Sequence, residues 1–421
     1  MIIQFTTGNF RSFSNKKTIS FEGKGISELK GNLFLSNKNK LLRSIVVYGA
    51  NSSGKSNLIK AFECMRELIL SSVRLNDLDD LDFSPFLLST ETDNKPTFFE
   101  VIFLQNEIKY KYGFEYNSHE VVKEWLYQKK GLKSEQPLFL RTIDGIAVTE
   151  DFGEGMGKEV STNDNRLFIS LVAQLGGSIS KKIMEWFKSY SVISGLDHTD
   201  YKGFTTRMLH TKTKGSTESL NFFKTLKLGF EDIKAVESEF NPIELPKRLP
   251  EKIKSKLIKD LTGQTMISLN TVHNKYDKNG KIVDSKEFDK DDMESEGTNK
   301  LIDLSGPIFD TLSLGRLLII DELDAKLHPL ITSHIINLFN NPKTNPNNAQ
   351  LLFATHDTNL LSTDIFRRDQ IWFTEKDEKE GTDLYSLYDF NLPDGSKVRN
   401  DSDFKKNYIR GRYGAIPFIT N

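Results

Sequence analysis

The chain has 421 residues, room for two or three domains at roughly 150 residues each, and its 57 Lys and Arg nearly balance 58 Asp and Glu. That balance excludes a global basic field for nucleic acid and leaves only local patches open. A single cysteine, Cys64, excludes a disulfide framework and fits a reducing, cytoplasmic setting. No run of about 18 apolar residues is present to span a membrane, and Met1–Phe5 turns polar too soon for a signal peptide.

In chain order, residues 2–6 predict a strand. Asn9-Phe10-Arg11-Ser12-Phe13 predicts a turn, and Lys17–Phe21 alternates like a second strand. Ser44–Tyr48 is short, apolar and β-branched, as a buried strand requires. It runs directly into Gly49-Ala50-Asn51-Ser52-Ser53-Gly54-Lys55-Ser56, which is G-x-x-x-x-G-K-S. Behind it Leu58, Phe62, Met65, Ile69 and Val73 recur at helical spacing, with Cys64 as a small apolar residue of the same helix. Strand, loop and helix in this order are what phosphate binding needs. Glycines let the backbone N–H groups face the phosphates, and the helix N-terminus adds positive potential. Lys55 would reach the β- and γ-phosphates, and the Ser56 hydroxyl would ligate Mg²⁺.

Asn76–Asp82 is acidic and predicts a solvated loop. Pro96–Phe103 and Glu107–Tyr116 predict a hairpin across Gln105-Asn106, and with the first strands an antiparallel β layer. Residues 120–290 carry helical periodicities at Leu167, Leu171 and Leu175, at Ile179, Ile183 and Trp186, and at Ile253, Leu257 and Leu261. They predict a mainly helical insertion with one strand over Thr265–His273 and a turn at Asp277–Gly280. Residues 297–374 return to alternation. Leu317–Ile320 and Leu351–Ala354 are buried strands, with a helix marked by Ile331, Ile335 and Leu338 between them, and another strand is expected over Gln370–Phe373. Strands alternating with helices predict a doubly wound, largely parallel sheet.

Asp321-Glu322 ends one of those strands, where an aspartate can hold the Mg²⁺ shell and a glutamate can orient or deprotonate water. His356 follows the next strand, placed to hydrogen-bond a γ-phosphate. Ser295-Glu296-Gly297-Thr298 precedes a helix and fits either an anion site or an ordinary N-cap. The tail interleaves Lys405, Lys406, Arg410 and Arg412 with Phe404, Tyr408 and Tyr413. That pattern suits nucleic acid or a partner, or a terminal element docking on the rest.

The ordered set GANSSGKS, ESEGTNKL, LLIIDELDAKLHP and LLFATHD resembles an ABC-type ATPase head. More narrowly, with Asn9–Phe13 and Gly411–Pro417, it is similar to the stand-alone prokaryotic AAA/ABC-like ATPases grouped with the ATPase part of OLD (overcoming lysogenization defect) nucleases and RloA-type proteins. The resemblance implies an α/β fold. It would comprise a P-loop NTPase head with a mainly parallel sheet, an antiparallel β layer and a mainly helical insertion. The expected division is an N-terminal lobe over 1–120, the insertion over 121–290 and a C-terminal lobe over 291–421.

The resemblance also implies roles. Gly49, Asn51, Ser52, Ser53, Gly54, Lys55, Ser56 and Asn57 would bind ATP, with Ser56 and Asp321 on Mg²⁺. Glu322 would be the catalytic glutamate, His356 the switch histidine and Asp324 the D-loop acid. Ser295 and Gly297 would act across a homodimer or higher even oligomer, and Arg11 would approach the nucleotide. Glu296 and Thr298 depart from the transporter pattern, and no Q-loop glutamine can be placed, Pro85-Phe86 lying near the expected stretch. About 65 residues follow His356, fewer than a TOPRIM nuclease domain of ~100 residues or more. The resemblance therefore implies a sensor or regulatory subunit of an anti-phage system that controls a separate, nuclease-like effector. The alternatives are a DNA-repair or recombination ATPase clamping DNA, a transporter's nucleotide-binding subunit, and an inactive scaffold.

Overall fold

In the computed structural model, which describes residues 1–242 and 249–417, strands β1 (Ile2–Gly8) and β2 (Lys17–Ser20) open the chain. A small hairpin of β3 (Leu33–Ser36) and β4 (Asn39–Leu42) follows, and β5 (Ser44–Tyr48) feeds α1 (Lys55–Ser71). Then come β6 (Thr97–Gln105), β7 (Ile108–Tyr116), β8 (Val121–Lys130), β9 (Gln136–Thr142) and β10 (Gly145–Val148). They are followed by α2 (Phe168–Gln174), α3 (Ser178–Ser189) and β11 (Ser191–Ser194).

The next segment holds α4 (Thr199–Thr211), α5 (Ser216–Leu226), β12 (Asp232–Glu239), α6 (Glu251–Leu261), β13 (Thr265–Tyr276), β14 (Ile282–Asp289), α7 (Lys290–Met293) and α8 (Glu296–Leu314). The chain closes with β15 (Leu317–Asp321), α9 (Pro329–Asn340), β16 (Gln350–Ala354), β17 (Ile371–Lys376), β18 (Thr382–Ser386) and α10 (Phe404–Ile409). Two units result: Met1–Leu196 with Leu314–Asn421, and Asp197–Ser313.

Besides the β3–β4 hairpin, the first unit holds two large sheets. One is antiparallel, in the order β10-β9-β8-β7-β6-β1-β2. Its β6–β7 turn puts Asn106 at φ 48° and Glu107 at φ 64°, the left-handed pair that a tight hairpin demands. The other sheet has the order β11-β15-β16-β5-β17-β18, parallel except for the last pair. One hydrophobic core takes in side chains from both sheets and from α1: Phe5, Phe99, Ile45, Val47 and Ile319 with Leu58, Phe62 and Met65. Phe5 stacks on Phe62 at 3.8 Å, and each ring buried contributes roughly 1.5–3 kcal/mol. Cys64 lies in the same core. Burial pushes its thiol up to about 12, so it is an apolar packing residue.

All the parallel strands end on one edge, and open α/β sheets bind ligands at that edge. β5, β16 and β15 are consecutive neighbours there. The segments that follow them, starting at Gly49, Thr355 and Glu322, therefore emerge side by side.

The expectation of a mainly helical insertion over 121–290 is corrected. β8 pairs with β7 along its length and β9 with β8, so residues 121–148 extend the antiparallel sheet. The side chains of β8 alternate inward and outward, and Glu124, Leu126 and Gln128 are buried, a period of two rather than 3.6. α2 and α3 pack into the same core through Phe168, Trp186 and Phe187. The separate unit is Asp197–Ser313 and is mixed. Its antiparallel sheet β12-β13-β14 accompanies α4 to α8, with β13 where a strand was expected.

Candidate functional site

Gly54 caps α1 with φ 117°, a left-handed conformation that glycine tolerates. A Cβ there would lie 2.3 Å from Thr382 Oγ1, and one on Gly49 would lie 2.4 Å from Ser53 Oγ. Close approach thus requires both glycines, and at Gly54 the backbone conformation requires it as well. Lys55 is buried, and its Nζ donates to Gly49 O at 2.8 Å and Ala50 O at 3.0 Å. Desolvation lowers its pKa to about 8, although Asp321, Glu322 and Asp324 pull the other way.

The loop bounds a cleft of about 360 Å³. Asn51, Ser52, Ser53, Gly54, Lys55, Ser56 and Asn57 line it on the loop side, and Glu322 and His356 face them. Asp321 ends β15 and Asp324 lies in the following turn. Each has a buried Oδ1 with no hydrogen-bond partner. An orphaned buried carboxylate oxygen is costly unless a cation or donor completes it. Glu322 sits at φ 52°, a strained conformation that is unusual for a non-glycine residue. Burial first, then the charge of Lys55, holds the His356 pKa below its ordinary value, so the ring is neutral at neutral pH.

Hydroxyls that carry no motif surround the loop. Ser53 Oγ and Thr374 Oγ1 are 2.7 Å apart. Thr382 Oγ1 donates to Ser53 O at 2.9 Å and lies 2.8 Å from Ser12 Oγ, which accepts from Asn57 Nδ2 at 2.8 Å. The N-terminal turn and the β17–β18 hairpin thereby fix the loop from outside. Thr382→Val should leave the buried Ser53 carbonyl without this donor, costing about 1–3 kcal/mol. A lowered melting temperature together with weakened ATP binding would show it; wild-type values for both would exclude the role.

Arg11 lies in the adjoining cleft of about 670 Å³, which also takes in Ser12, Asn57, Phe86 and Lys376. It does not line the loop cleft itself. Its φ is 49°, and its N–H donates to Ser84 O at 2.7 Å. In the second unit, Ser295 Oγ accepts from Thr298 N at 3.2 Å and Gly297 lies in the first turn of α8, the N-cap geometry anticipated from the sequence. Ser295 is exposed. In the tail, Phe404, Tyr408 and Tyr413 are buried, and Tyr408 stacks on Phe373 of β17 at 5.4 Å. The aromatic half of the basic–aromatic pattern therefore docks the tail onto the first unit.

A strand–glycine loop–helix unit, an acid-ended strand two places along the sheet and a histidine-ended strand between them define a P-loop head of the ABC-like ATPase type. The sequence agrees: the chain belongs to the family described as AAA domain, putative AbiEii toxin, Type IV TA system, which matches residues 44–362. No curated protein matches it. Among solved structures it is similar to the SMC head domain from Thermotoga maritima, with 14% identity over 91% of this chain and 98% of that one, TM-score 0.41. It is also similar to the SmcHead bound to the C-winged helix domain of ScpA, with 13% identity over 94% and 99%, TM-score 0.39. The recombination mediator protein RecF in its ATP form matches with 13% identity over 91% and 97%, TM-score 0.35.

The donors present fit Mg²⁺. Among the described residues no three His, Cys, Asp or Glu side chains form a metal cluster of their own. Mg²⁺ needs none, because it keeps waters and takes one or two carboxylates along with substrate phosphates. The unpartnered oxygens of Asp321 and Asp324 are suited to that. No described helix is long and apolar enough to cross a membrane.

Proposed function

We propose that this head binds ATP with Mg²⁺ and hydrolyses it in the cleft between the phosphate loop and Glu322. The observation that supports this best is that Lys55, Glu322 and His356, drawn from three neighbouring strand ends, meet around one cleft. The loop N–H groups and Lys55 hold the phosphates, and Ser56 and Asp321 would hold the metal, with Asp324 beside them. Mg²⁺, when bound, supplies charge neutralisation on the phosphate oxygens. Glu322 orients the attacking water and accepts its proton. His356, neutral, hydrogen-bonds the γ-phosphate and responds to its loss. Phosphate release from ATP by the purified protein, with and without Mg²⁺, tests the reading; no release under either condition, at any protein concentration, would refute it.

The ammonium of Lys55 gives this site a pH dependence. With its pKa at about 8, the lysine is charged below that value and neutral above it. ATP prefers the charged form, so binding above pH 8 must take up a proton. Affinity should fall as pH rises through 8, approaching tenfold per unit beyond it. Titration calorimetry from pH 6.5 to 9.5 reads this, and a flat profile would contradict it.

The larger assembly follows from the same reading. Ser295 and Gly297 of one copy would complete the ATP site of another in a homodimer or higher even oligomer. The resemblance to the OLD and RloA group supports a cytoplasmic sensor subunit of an anti-phage system, whose ATP state holds or releases a separate, nuclease-like effector; the alternative is a DNA-repair or recombination ATPase that clamps DNA. Light scattering with and without ATP tests the assembly, and a chain that stays monomeric with ATP bound argues against it.

A further inference from the structure

We propose that Gly195 is a positioning residue for Glu322, acting from the end of the neighbouring strand. β11 runs parallel to β15, with Ser194 opposite Asp321. One residue further on, the Gly195 N–H donates to Asp321 O at 2.6 Å. A Cβ on Gly195 would lie 2.0 Å from Glu322 O, 2.7 Å from Glu322 C and 2.8 Å from Asp321 O. These are backbone atoms, which cannot swing aside as a side-chain tip can. Gly195 is not in the left-handed region, so its own conformation does not demand glycine. Its neighbour demands it.

The peptide it touches is the one that must be held. Glu322 has φ 52°, and its carbonyl accepts from Ala325 N at 3.1 Å to close a turn. Leu323 N donates to Ala354 O at 3.2 Å on the far side. β16 therefore restrains the turn from one side, and Gly195 closes against it from the other. A strained residue persists only where its surroundings over-determine it. Gly195 supplies part of that determination without touching the cleft, which its side-chain-free surface does not line.

The proposal rests on Glu322 handling the attacking water, so the test separates the two. In Gly195→Ala the carbonyl of Glu322 must move and its carboxylate with it. A displacement of about 1 Å is enough to cost roughly 100-fold in kcat. ATP affinity, set by the loop, should stay at the wild-type value. In a Glu322→Gln background the same substitution should cost nothing further, because the group it positions is already disabled. Wild-type kcat in Gly195→Ala, or equal losses in kcat and ATP affinity, overturns the proposal. Absence of turnover in the wild type instead refutes the hydrolysis reading.

Should the variant fail to fold, residue-resolved hydrogen exchange on the wild-type protein decides. The Gly195 and Ala325 amides are expected to be protected together and to open together. Free exchange at Gly195 while Ala325 stays protected overturns the coupling.

Discussion

Glu322→Gln should abolish turnover while sparing ATP binding. Removing a positioned general base costs about 10²–10⁴-fold in rate. The substitution is nearly isosteric, and the cleft wall it leaves is the same shape. It also removes one of three acidic charges, Asp321, Glu322 and Asp324, that act on Lys55. Less negative charge faces the γ-phosphate, so ATP should bind at least as tightly as to the wild type. With the proposed dimer, the variant should accumulate an ATP-held assembly visible by light scattering, which becomes bait for the proposed effector. A Glu322→Gln protein that turns ATP over at the wild-type rate would remove Glu322 from the mechanism and leave the cleft as a binding site only.

Lys55→Ala should fail one step earlier. The buried ammonium is the only cationic side chain lining the loop cleft among the described residues. Charge-assisted hydrogen bonds contribute about 1.5–3 kcal/mol each, so losing those to two phosphates lowers ATP affinity by roughly 100-fold or more. Its Nζ also bonds the Gly49 and Ala50 carbonyls, and truncation leaves both without that donor. The two variants thus separate binding from chemistry: Lys55→Ala shows no saturable ATP binding by calorimetry, and Glu322→Gln shows binding without phosphate release. Tight ATP binding by Lys55→Ala would mean that the loop is a structural turn.

The cleft was readable where its lining is contiguous. Ser44–Ser56 carries strand, loop and helix start within one short stretch, and the G-x-x-x-x-G-K-S spacing has a backbone meaning independent of the rest of the fold. Asp321, Glu322 and His356 were readable because each directly follows a run of buried residues, and parallel pairing sends the ends of such strands to one edge. The antiparallel layer was readable only as far as its hairpin signal reached. Beyond Tyr116 the pairing shifts register, between Glu115 and Tyr116 and again between Leu126 and Tyr127, and the alternation of β8 is short beside the helical periodicities that follow it. The boundary of the second unit at Asp197 is marked only by Ser194-Gly195 and the polar residues Asp197–Asp200, a signal no different from that of an ordinary turn.

What the sequence alone determined, then, is the phosphate loop, its acidic and histidine partners, and the α/β alternation that carries them. These depend on short-range spacing and on the period of burial. Tertiary structure decided what supports them. Thr382 meets Ser12 from 370 residues away, Thr374 meets Ser53 from 321, and Gly195 closes on the Glu322 peptide. Threonines and a glycine carry no chemical signature. Their value lies in how closely they let backbones approach, and pairing between distant strands sets that distance.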